Sequence, residues 1–205
     1  MPMTPQVSDI PQKCDGKVAV PVDGSHVALR ASSLAAALIA LVAALALAPT
    51  ALPASTSANA QVAALESGVL VRVNQIRASH GLVPLRLSLR LSQAAEQHSH
   101  EMGADGYFSH SSFDGTSYST RISSWYPWAG FQQWSVGENL LWGSPTISAS
   151  VALRIWMNSP EHRANILSPS WREIGLAAVH FDDAPGVFDG SAVTIITADF
   201  GVRSS

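Results

Sequence analysis

Three short segments gather the side chains able to do polar chemistry: Tyr107-Phe108-Ser109-His110, Gly137-Glu138-Asn139 and Ser159-Pro160-Glu161-His162-Arg163. Two imidazoles and a carboxylate can hold a divalent ion, move a proton or bind a polar ligand, provided that the fold brings them together. Spacing alone does not establish this, because His110 and His162 are too far apart in sequence to form a short-range ligand motif. Their local settings say more. Ser159-Pro160 is a helix-start signal, a capping serine followed by a first-turn proline, so His162 falls in the first turn of a short helix. The positive end of the helix dipole there disfavours an imidazolium and leaves a neutral ring suited to a metal or a proton. The plain alternative is a residue that helps to cap the helix beside Glu161. His110, in a Ser-rich loop, also reads as a solvated loop histidine. Glu138 interrupts the apolar run over residues 134–142, so its carboxylate either points to solvent or orients a polar cleft.

The remaining candidates carry less. His98 and His100, next to Glu101, lie two apart on a helical stretch and face different ways; His98 is expected at the edge of the core. His80 and His180 take the same structural reading. Ser111 and Ser112 adjoin His110, but no G-x-S-x-G elbow is present to make either a nucleophile.

The elements that must position these residues follow from periodicity. Val62, Leu65, Val69, Val73 and Ile76 recur at helical spacing, and Gly81 and Pro84 stop that helix. Ser88 opens a second helix with Leu91, Ala95, His98 and Met102 on one stripe, ending near Asp105-Gly106; the two helices are expected to share a core. Residues 106–145 show no period and many aromatics, which predicts loops pinned by aromatic packing. Ser144-Pro145 predicts the start of a third long helix carrying Ile147, Val151 and Ile155. The β-branched runs around Ile174 and over residues 192–200 predict two strands, with Asp182-Asp183-Ala184-Pro185-Gly186 beginning the turn between them. Helices followed by a terminal strand pair give an α+β domain, helices packed on a small antiparallel sheet.

Composition bounds the partners and the compartment. The chain has 205 residues, 47% of them apolar, and a net charge of −3, so it lacks the basic footprint expected for nucleic acid or an anionic membrane surface. Cys14 is the only cysteine, which rules out a disulfide within the chain. Residues 34–48 are an uncharged apolar run of signal-peptide length, preceded by Arg30 and followed by Ala58-Asn59-Ala60, a small-x-small cleavage pattern. The expected organisation is a disordered extension over residues 1–30, a signal segment over 31–60, and one exported, monomeric domain over 61–205. If the signal is not cut, it anchors the chain to the cell envelope.

In order along the chain, these motifs resemble the CAP superfamily of cysteine-rich secretory, antigen-five and pathogenesis-related proteins, and its exported bacterial members in particular. The resemblance rests on Asn74-x-x-Arg77, Gly106-Tyr107-Phe108-Ser109-His110, Gly137-Glu138-Asn139, Trp156-x-x-Ser159-Pro160-x-His162-Arg163-x-Asn165-Ile166 and Asp199-Phe200-Gly201. It implies an α-β-α sandwich with a cleft at which His110, Glu138 and His162 meet, able to take a labile divalent ion such as zinc through His110 and His162. Many relatives add a second glutamate three residues after a tryptophan; here Trp156 is followed at that spacing by Ser159. Three readings of function follow. An extracellular module binds a small ligand, lipid or peptide in the cleft; a zinc-assisted peptide or ester hydrolase uses Glu138 as general base; or an envelope scaffold keeps a vestigial cleft. The first is preferred, because two imidazoles leave the ion short of a third protein ligand and no set of oxyanion donors is visible.

Overall fold

The computed structural model describes residues 54–205. The extension expected over 1–30 and the apolar run of the signal segment lie outside those residues. Helix α1 (Ala54–Ser79) starts ahead of the expected mature start and runs through Ala58-Asn59-Ala60. Leu65, Val69 and Val73 are buried along one stripe, with Val62 and Ile76 at its rim, as the spacing predicts. Gly81, at φ 70°, follows the helix, and the Leu82 N–H turns back to the Arg77 carbonyl at 2.9 Å. The Asn74-x-x-Arg77 motif anchors this corner. The Asn74 amide exchanges two hydrogen bonds with the Leu85 backbone, and the buried Arg77 guanidinium donates to the carbonyls of Val83, Ile166 and Ser168.

A two-residue strand β1 (Arg86–Leu87) leads into α2 (Leu89–Asp105), opened at Ser88 and closed by Gly106 in the left-handed region. Then come α3 (Tyr118–Trp125), β2 (Gln133–Gly143), α4 (Ala149–Asn158), α5 (Pro160–Leu167), β3 (Glu173–Ala184) and β4 (Ser191–Ser204). The four strands form one sheet in the order β1-β3-β4-β2, with β1 parallel to β3 and the other pairs antiparallel. The α+β class and the α-β-α layering expected from the sequence are present.

Alternation along the strands sorts the helices onto two faces. Ile174, Leu176, Ala178, Ile196, Ala198 and Phe200 point to the side covered by α1, α4 and α5, where they meet Val69, Val73, Leu153, Trp156 and Ile166. The intervening residues face α2 and α3: Val136 packs with Leu91 and Ile122, and Leu140 and Ile195 pack with Met102. Helices α1 and α2 therefore do not share a core, contrary to the expectation from their stripes; the sheet stands between their buried faces. Gly175 lets α2 lie directly on β3, since a Cβ there would sit 2.1 Å from the Leu91 carbonyl carbon.

Two further expectations are corrected. Residues 106–145 are not all loop, because α3 and the eleven-residue β2 form within them. Strand β2 shows no alternation in sequence because both of its faces are covered over most of its length. The third long helix starts not at Ser144 but after Ser148, whose hydroxyl accepts from the Val151 N–H. The preceding residues are held to the sheet instead, through the Thr194 hydroxyl donating to the Pro145 carbonyl. Ser159-Pro160 does open α5, and the two terminal strands are present over longer spans than predicted.

Candidate functional site

The three segments converge at the outer edge of the sheet, along β2. Glu138 lies near the middle of that strand on the face toward α2 and α3, and its carboxylate is fully buried. His110, in the loop between α2 and α3, places Nδ1 2.7 Å from Glu138 Oε1. Arg121, on α3 and buried, donates from Nη2 to the other carboxylate oxygen and from Nη1 to the His110 carbonyl at 3.0 Å. From the opposite layer, α5 is laced to the same strand. Asn165 donates to the Glu138 carbonyl and the Asn139 side chain, and Asn139 donates to the His162 carbonyl at 3.0 Å. Thus His110 and Glu138 are in direct contact, while His162 is fastened to β2 through its backbone. The Gly137-Glu138-Asn139 run reads as a strand that sends its carboxylate to one layer and its amide to the other.

The electrostatics follow from these contacts. Burial works to raise the Glu138 pKa, yet the Arg121 charge and the His110 hydrogen bond outweigh it and hold the group below its usual value. Asp199 stands beside Glu138 in the β2–β4 register and is equally buried. Burial, followed by the Glu138 charge, pushes its pKa well above the ordinary carboxyl value. His162 is pushed down to about 4, chiefly by burial and then by the charge of His110, so its ring is neutral at neutral pH.

A divalent ion of the kind the resemblance implies would have two imidazoles to bind it. His162 Nδ1 is buried with no hydrogen-bond partner, and the contact from His110 Nδ1 to Glu138 is the kind of carboxylate support that orients a metal-binding ring. Among the described residues no group of three or more His, Cys, Asp or Glu side chains is gathered to hold an ion. No third ligand of that kind accompanies the two histidines that the resemblance names.

Two functional neighbours were not singled out from sequence. Arg121 gives no signal, being one polar residue in a Ser-rich stretch. Asp199 does give one: a lone carboxylate in the apolar run over 192–200 calls for a partner. His98 is a structural residue, buried on α2 with Nε2 at 2.8 Å from the Ser109 carbonyl. His180 meets the Thr194 hydroxyl, and His80 binds back to its own helix end.

Comparison with known proteins places this arrangement. The chain is 35% identical over 125 residues to the uncharacterized protein YkwD of Bacillus subtilis, covering 61% of this chain and 46% of that protein. It is 31% identical over 111 residues to the uncharacterized membrane protein YlbC of the same organism, covering 54% of this chain and 30% of that one. The chain thus matches less than half the length of either relative. Among solved structures, an extracellular protein containing an SCP domain from Bacillus anthracis superposes with a TM-score of 0.53 at 24% identity, covering 77% of this chain and 45% of the other. An outer surface protein of Borrelia burgdorferi gives a TM-score of 0.51 at 20% identity, covering 66% of this chain and 90% of the other. At those identities the likeness is one of fold. The family model for the cysteine-rich secretory proteins matches residues 70–196, which take in His110, Glu138 and His162, and this chain belongs to that CAP family.

Proposed function

We propose that the chain is an extracellular ligand-binding or interaction module that works through the cleft at the β2 edge, taking a small ligand, lipid or peptide, with a labile divalent ion such as zinc as an auxiliary. The observation that carries this reading is the charge balance of the site. Glu138 is dehydrated and already engaged by Arg121 and His110, whereas His162 Nδ1 is buried, neutral and unpartnered. A carboxylate held below its normal pKa by a buried guanidinium is a weak base, so the geometry favours recognition over hydrolysis. Export is consistent with the surface or extracellular location named for the two structural neighbours. No helix among the described residues is long and apolar enough to cross a membrane.

The test is thermal unfolding of the purified chain with and without Zn²⁺. An ion bound only by the folded state at about ten times its Kd raises Tm by about 3–6 °C for a domain of this size. The rise is expected to disappear in both His110→Ala and His162→Ala; an equal rise in both variants removes the ion from the cleft. Cleavage of a mixed peptide and ester library that is lost in Glu138→Gln would overturn the recognition reading in favour of catalysis.

A further inference from the structure

The sheet has a second edge, and it too is lined as a site. Beyond its short pairing with β1, strand β3 has no neighbouring strand on its outer side among the described residues, and a groove of about 620 Å³ runs along residues 176–180 between α1 and α2. That volume lies within the range of about 300–1,000 Å³ typical of small-molecule sites. Its apolar walls include Val62 and Leu70 of α1, Leu176 and Val179 of β3, and Leu87, which is 58% exposed.

An added β-strand is a poor occupant. The outward N–H of Leu176 is taken by the Ser92 hydroxyl at 3.1 Å and that of Ala178 by Glu66 Oε1 at 2.8 Å, so the donors that a partner strand needs are already used. The charges in the groove are of one sign. Glu66 from α1 and Glu96 from α2 both line it, and among the described residues no Lys or Arg does. The histidine at its end, His180, is engaged with Thr194 and Asp182. Glu66 is fixed by its bond to β3, and it is close enough to Glu96 for that charge, together with burial, to raise its pKa. Two carboxylates with no Lys or Arg among the described lining residues, set in a half-buried apolar trough, are complementary to a positive head on an apolar body.

We infer that this groove is a second binding site, taking a cationic amphiphile: an aliphatic chain or ring that carries a primary amine or guanidinium, with the head between Glu66 and Glu96 and the body along Val62, Leu70 and Val179. It lies at the opposite edge of the sheet from the cleft proposed above and does not depend on it. An anionic lipid of the same length is excluded by the same carboxylates.

The experiment is a calorimetric titration of the full chain with dodecylammonium, using dodecanoate and dodecanol as length-matched probes. The amine is expected to bind more tightly than either control and to weaken with added salt. Glu66→Gln and Glu96→Gln are each expected to weaken it about fivefold, the effect of losing one partly screened ion pair. Glutamine at position 66 keeps an acceptor for the Ala178 N–H, so the strand edge stays capped and the fold is retained. His162→Ala, which alters only the other edge, is expected to leave amine binding unchanged. The inference is overturned if the amine does not bind, if dodecanoate or dodecanol binds as tightly, if both glutamine variants bind the amine as the unaltered chain does, or if His162→Ala abolishes binding.

Discussion

Glu138 and Asp199 are cross-strand neighbours, both fully buried, and they hold their protons differently because only Glu138 reaches a guanidinium. Burial and the Glu138 charge push the Asp199 pKa up, while Arg121 and the His110 hydrogen bond hold that of Glu138 down against its own burial.

Asp199→Asn, a neutral near-isostere, is expected to alter how stability depends on pH. The folded chain releases the Asp199 proton at higher pH than the unfolded chain, which releases it near pH 4. The unaltered protein therefore binds more protons when folded, and this contribution to stability falls as pH rises from about 4 toward neutrality. Urea unfolding from pH 4 to 7 should show the unaltered chain losing ground to Asp199→Asn as pH increases. A difference that stays constant over that window would refute the assignment of the proton to Asp199.

Arg121→Leu leaves Glu138 buried beside Asp199 without its cation. The expected cost is about 3–5 kcal/mol in chemical unfolding, the penalty for breaking a buried pair from one side. The double variant Arg121→Leu/Glu138→Leu removes both charges and should cost clearly less than Arg121→Leu alone. Equal costs would mean that the guanidinium acts through packing or through its bond to the His110 carbonyl.

His162 is neutral when folded down to about pH 4, whereas an unfolded histidine takes a proton near pH 6.5. Below pH 6.5 the unfolded state binds the extra proton, so stability attributable to this ring falls as pH drops from 6.5 toward 4. The loss relative to His162→Gln should be about 1–2 kcal/mol between pH 6.5 and 4.5. An NMR titration of the ring gives the direct check, and a midpoint above pH 6 would contradict it.

The start of α4 can be read by substitution. Ser148→Ala removes the acceptor of the Val151 N–H and should cost about 1 kcal/mol. Ser144→Ala should cost no more than a few tenths of that, although Ser144-Pro145 is the stronger start signal in the sequence.

What the sequence made legible was local. The stripes of α1 and α2, the Ser159-Pro160 start of α5 and the terminal strands were readable because one turn or one alternating face determines each of them. Strand β2 was not, since both faces are covered and alternation is erased, and with it went the setting of Glu138. The core partners of α1 were misread for a related reason: an apolar stripe says that a face is buried, not which side of a sheet buries it. His110, Glu138 and His162 could be named only through resemblance, because their meeting depends on strand register and loop closure over long separations. Arg121 lay beyond any pattern, and Glu66 becomes meaningful only when Glu96 is seen on the same groove.

Helix α1 carries one more implication, for the timing of maturation. Ala58-Asn59-Ala60 sits inside a continuous helix whose later turns pack into the domain, whereas proteases cut chain that is extended and accessible. Were the chain cut after Ala60, the cut would have to precede closure of the domain, because in the folded chain the same three residues are held in hydrogen-bonded helical backbone.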